Sequence, residues 1–174
     1  ISTKVALPAV ILTLVALVIV GLGAFQARKV EANTKILVEQ RAPAELELSR
    51  FNRRIVTLGY AVYRTLSYDG TSAEAKAASD DLDSTYKEAK ARLADIKKSD
   101  PATTKQVDAF ALRLDKIYSA ARNGADMGLQ NMNDAAKMMI AGVDPDIASL
   151  SKDVNDFTNK HSDETKAMVA KASK

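Results

Sequence analysis

Arg50, Arg54, Thr57 and Arg64, with Ala61 among them, recur at steps of four and three. Residues at that spacing share one stripe of an α-helix. Guanidiniums along one stripe, separated by small side chains, can clamp a carboxylate or phosphate by paired hydrogen bonds. Arg53 adds charge one face over. The plainer alternative is a solvated face paired with Glu47 and neighbouring acids, since surface ion pairs are common and individually weak.

Other candidates carry less chemistry. His161, the single histidine, sits on an apolar helical seam. Imidazole titrates near neutrality, so a ligand or pH-sensing role competes there with that of a core-edge side chain holding a satisfied hydrogen bond. A di-iron bundle needs Glu-x-x-His pairs on facing helices, but Thr158 stands three residues before His161 and no second His exists. Met127, Met132, Met138 and Met139 can form an adaptable pocket or simply fill a core. Asp80-Asp81 and Asp163-Glu164 are adjacent on helices, so their side chains diverge. The sequence contains no Gly-rich phosphate loop, no Ser-His-Asp set and no cysteine. It therefore predicts no enzyme, no cofactor and no metal. A net charge of +3, spread along the chain, argues against a nucleic-acid partner.

The elements that position these residues are helices. Ala, Lys, Asp, Glu and Leu dominate and aromatics make up 5%, which is a long-helix composition. Val5 to Phe25 carries no charge, enough residues to span the roughly 30 Å hydrocarbon core of a bilayer. Residues 1–27 are therefore expected to be a transmembrane helix and residues 28–174 a separate helical domain. Beyond Phe25 a heptad seam continues through Val30, Leu37, Ala44, Phe51 and Leu58, with Leu48, Ile55 and Val62 beside it. Pro43 predicts a kink near Arg41-Ala42, and Gly70 a left-handed stop. Thr71 and Glu74 have the spacing of a capping box opening a second helix. That helix buries Ala75, Ala78, Leu82, Tyr86, Ala89, Leu93 and Ile96, and Lys97-Lys98 meet the negative end of its dipole.

Asp100-Pro101 starts a third helix with Val107, Phe110, Leu114, Ile117 and Ala121 on its seam. Gly124 and Gly128 mark a shift of phase, and one long helix is expected to reach about Ala141. Asp144-Pro145 repeats the start signal for a fourth helix through Ile147, Leu150, Val154, Phe157 and His161. Short connections then predict an all-α, up-down-up-down antiparallel four-helix bundle, its first helix extended into the N-terminal transmembrane span. The fourth helix, with no stop signal before Lys174, is aimed at a second span beyond it.

An N-terminal span, such a bundle, the Arg41-Ala42-Pro43 break and the Asp-Pro helix starts together resemble the sensor portion of methyl-accepting chemotaxis proteins. The resemblance runs from Val5 through Lys174. It implies a periplasmic sensor domain on the bacterial inner membrane, a homodimer, and a signal passed through helix four to a cytoplasmic signalling domain on the same full-length chain. The implied partner is a small anionic ligand or a periplasmic binding protein, and Arg50, Arg54, Thr57 and Arg64 look similar in kind to the helix-one arginines of aspartate-type receptors. The same type of bundle fronts histidine kinases and diguanylate cyclases. A membrane-anchored scaffold without a small-molecule ligand is the reading from a different class.

Overall fold

The computed structural model describes the backbone of residues 2–172 and the side chains of residues 16–171. Among these residues the chain is helical, with no strand. Helix α1 (Ser2–Ile36) enters a π-helical turn, Leu37–Arg41, and continues as α2 (Ala42–Leu66). Then follow α3 (Ala73–Ser99), a 3-10 turn at Pro101–Thr103, α4 (Thr104–Leu129) and α5 (Asn133–Ala172).

The predicted membrane span and the inner-membrane location are corrected by this structure. Among the described residues, no helix is long and apolar enough to cross a membrane. The described side chains begin at residue 16, inside the Val5–Phe25 run, and Gln26, Arg28, Lys29 and Glu31 follow it. The remainder of the Val5–Phe25 run lies outside the residues whose side chains are described.

The bundle is built on the predicted seams. Leu48, Phe51, Ile55, Leu58 and Val62 of α2 are buried with Leu82, Ala89, Leu93 and Ile96 of α3. Val107, Phe110, Leu114 and Ile117 of α4 and Ile140, Val143, Leu150 and Val154 of α5 complete the core. The Phe110 ring meets Phe51 at 6.4 Å between centroids and Phe157 edge-on at 5.8 Å. Aromatic rings at such offsets add to what burial alone contributes. The seam lapses upstream, where Val30 is exposed.

The kink predicted near Arg41-Ala42 takes the form of the π turn. Pro43 offers no N–H and its ring crowds the preceding turn. The ladder widens there, and the Ala42 N–H donates to the Leu37 carbonyl, five residues back. Such π turns inside α-helices tend to fall at functional sites.

Several predicted boundaries move. The cap of α3 is Ser72, one residue after Thr71: its hydroxyl accepts from the Ala75 N–H at 3.1 Å, while Thr71 donates to Asp69 at 2.6 Å. No glycine among the described residues has a positive φ, so Gly70 is not a left-handed stop. Gly70 is required for space, because a Cβ there would lie 2.4 Å from the Gly128 carbonyl oxygen and 2.5 Å from that of Leu129. The left-handed residue is Asn131 (φ 59°), whose side chain accepts the Gly70 N–H at 2.8 Å. The third helix therefore ends at Leu129 and does not continue to Ala141. Helix α5 begins at Asn133 and runs through Asp144-Pro145 without a break. Gly124 and Gly128 stay helical and admit Ile140 and Leu66 as close neighbours.

Candidate functional site

The arginine stripe lies on α2 facing α3, and each guanidinium meets an acid. Arg50 pairs with Glu47, Arg54 with Glu88 at 2.8 Å, and Arg64 with Asp81 at 2.7 Å. The Thr57 hydroxyl donates back to the Arg53 carbonyl at 2.9 Å. Glu47 also receives Arg92 of α3 at 3.2 Å. Arg54 and Arg64 thus pair across to α3, Arg50 pairs within α2 through Glu47, and Thr57 bonds back to its own helix. A ligand there would have to displace an acid from every arginine it engaged.

A second polar seam joins α3 to α4. Tyr86 and Tyr118 stack with centroids 3.8 Å apart. Tyr86 donates to Asp115 at 2.9 Å and Tyr118 to Asp83 at 2.8 Å, while Lys90 and Arg122 neutralise those acids. Burial, helped by the neighbouring Asp83 carboxylate, pushes the Tyr118 phenol up to about 12. Tyr86 moves in the same direction, again chiefly from burial and then from Asp115. These contacts lock one pair of helices together.

Buried charge gathers instead where the π turn, the α3–α4 corner and α5 meet. The His161 ring is almost fully enclosed. Its Nε2 lies 2.9 Å from Asp100 Oδ2 and its Nδ1 3.4 Å from Glu45 Oε1. Asp100 is itself buried. Its Oδ1 accepts the Ala102 N–H at 3.1 Å, the cap predicted from Asp100-Pro101. Arg41, the last residue of the π turn, approaches Asp100 and Glu164 at 3.5 Å each. Thr165 donates to Glu45 at 3.1 Å. The Phe157 ring stands 5.9 Å from the imidazole.

A cavity of about 280 Å³ opens beside this cluster, lined by Arg41, Lys105, Gln106, Phe157, His161 and Glu164 among others. Sequence reasoning singled out His161 but missed Arg41, Glu45, Asp100 and Lys105 as its companions. Two local signals fall on this corner, the kink near Arg41-Ala42 and the Asp100-Pro101 helix start, and neither points to His161. The partners lie 61 and 116 residues from His161 in the chain, beyond the reach of any local pattern. The four methionines do not form a pocket of their own, since Met132 and Met138 are exposed.

No protein-family model matches the chain, and neither a curated protein nor a solved structure matches it.

Proposed function

We propose that this chain is the sensor module of a signalling receptor of the methyl-accepting chemotaxis type. In this reading the four helices run up-down-up-down, and α5 carries the signal to an output partner. The side-chain pairs support that order. Partners of α2 and α3 run in opposite directions along the chain, from Arg64–Asp81 to Arg92–Glu47. Asn52–Asn155 and Glu45–His161 do the same for α2 and α5. The module works without a catalytic step of its own.

The observation that carries the reading is the setting of His161. A buried side chain of α5 is held by one carboxylate from α2 and another from the α3–α4 corner, beside a π turn that links α1 to α2. Packed helices shift between discrete arrangements, because their ridges interlock. A charged tie at one end gives such a shift something to make and break. Leu46, Val56 and Tyr60 leave an exposed apolar face on α2, which supports pairing with a second copy.

Amide hydrogen exchange tests this reading in the whole chain. With a panel of small anions and amino acids, a sensor shows ligand-dependent protection in two places together: residues 37–45 and residues 157–168. A scaffold bundle shows protection unchanged by every compound.

A further inference from the structure

We propose that His161 is a proton-operated latch: its doubly protonated ring holds α5 to both α2 and the α3–α4 corner, and loss of one ring proton to water releases the α2 side. The latch needs no other ligand, so it goes beyond the receptor reading and does not depend on it.

A neutral imidazole carries one N–H and one bare nitrogen, whereas the imidazolium carries two donors. Here both nitrogens face carboxylates, Nε2 at 2.9 Å from Asp100 Oδ2 and Nδ1 at 3.4 Å from Glu45 Oε1. An ionised carboxylate only accepts, so the doubly protonated ring alone serves both acids. Their other contacts are those of acceptors as well. Asp100 Oδ1 takes the Ala102 N–H, and Glu45 Oε1 takes the Thr165 hydroxyl.

The charges around the ring point the same way. The π turn supplies Arg41, α2 Glu45, the α3–α4 corner Asp100, α4 Lys105, and α5 Glu164. Three acids stand against two cations, and one proton on the ring brings the corner to neutrality. Burial and the nearby Arg41 guanidinium work against that proton, and the two carboxylates in direct contact work for it.

Which tie opens is set by the two distances. The shorter contact keeps its hydrogen, so the neutral ring retains Nε2–H towards Asp100 and turns a bare Nδ1 towards Glu45. A lone pair then faces an acceptor. Glu45, with 25% of its side chain exposed, can turn to water and give up its contact with Thr165. Asp100 has no such exit, being buried and fixed as the cap of the turn before α4. The cavity of about 280 Å³ that His161 lines gives the proton a way out.

The chain has a single histidine, so NMR of the whole chain with isotope-labelled histidine reads this ring without ambiguity. From about pH 5 to 8, where imidazole changes charge, the ring should pass from two N–H groups to one, on Nε2. Spin labels at the exposed positions Ser49→Cys of α2 and Asn159→Cys of α5 report the second half of the claim. Their distance distribution should change along the same titration curve. In Glu45→Gln the side-chain amide can donate to a bare Nδ1, so the ring should still titrate while the distance stays fixed. His161→Gln should remove the pH dependence of the distance altogether. A ring that keeps one protonation state across this range would overturn the proposal. So would a ring that titrates in the unaltered chain at constant distance, or a distance that still moves with pH in Glu45→Gln. The unaltered chain decides by itself if a variant does not fold. Ligand-dependent hydrogen exchange at one fixed pH decides the sensor reading separately.

Discussion

Asp100 shows how one side chain holds both a helix start and a helix contact. It caps the turn that opens α4 and accepts the His161 imidazole across the bundle. Losing an N-cap costs about 1 kcal/mol, and leaving a buried polar group without its partner costs about 1–3 kcal/mol more. Asp100→Ala should therefore lower the unfolding free energy by roughly 2–4 kcal/mol in urea titration, whereas Asp100→Asn, which keeps the cap acceptor, should lose less. Gly70→Ala should also destabilise, by about 1–3 kcal/mol, because the new methyl meets two backbone oxygens and not a side chain that can turn away. Tyr118 gives a pH dependence of definite sign. Its phenol is pushed from 10.0 to about 12, chiefly by burial. Below pH 10 it is neutral in both folded and unfolded chains and has no effect on the pH slope. Between 10 and about 12 the unfolded chain loses the proton first, so stability falls as pH rises. Tyr118→Phe should flatten that fall, measured as unfolding midpoints across the alkaline range. The cap at Asp100 was legible in the sequence because it is local. The tie to His161 was not, since nothing in the neighbourhood of either residue encodes the other.

At the scale of elements, periodicity was legible and punctuation much less so. The apolar steps of α2, α3 and α4 read directly as the faces that are buried, because a core stripe must repeat every three or four residues. Asp144-Pro145 looked like a second helix start of the Asp100-Pro101 kind, yet α5 passes straight through it. The difference is tertiary. Val143 and Ile140 are buried before the proline and Leu150 after it, so packing holds one continuous helix at the cost of a missing backbone bond. Pro145→Ala should accordingly stabilise the chain by about 1–3 kcal/mol, read as a raised midpoint in urea. A drop in stability would mean that the proline sets a bend the packing requires. The true break came at Asn131, where the side chain accepts the Gly70 N–H and ties two loops together. Glycines drew attention away from it, since Gly124 and Gly128 serve close packing inside α4.

Across the whole molecule, α5 of the bundle is tied to α2 and to the α3–α4 corner through buried charge at one end. The all-helical class and the composition of the core were readable from the chain. Among the described residues no helix is long and apolar enough to cross a membrane, and of the arginine stripe Arg54 and Arg64 pair with acids of α3 while Arg50 pairs with Glu47 of its own helix. What the sequence concealed is the meeting of Arg41, Glu45, Asp100 and His161, which exists only once three separate segments have packed.

The most direct test is the distance between α2 and α5 near that meeting point. The chain contains no cysteine, so spin labels at Ser49→Cys and Asn159→Cys, both exposed positions, report on these helices alone. Pulsed dipolar spectroscopy should give one distance distribution for the unaltered chain and a different one in Asp100→Asn, which weakens the hold on His161. One distribution, identical in both, would contradict the claim that this corner sets the position of α5.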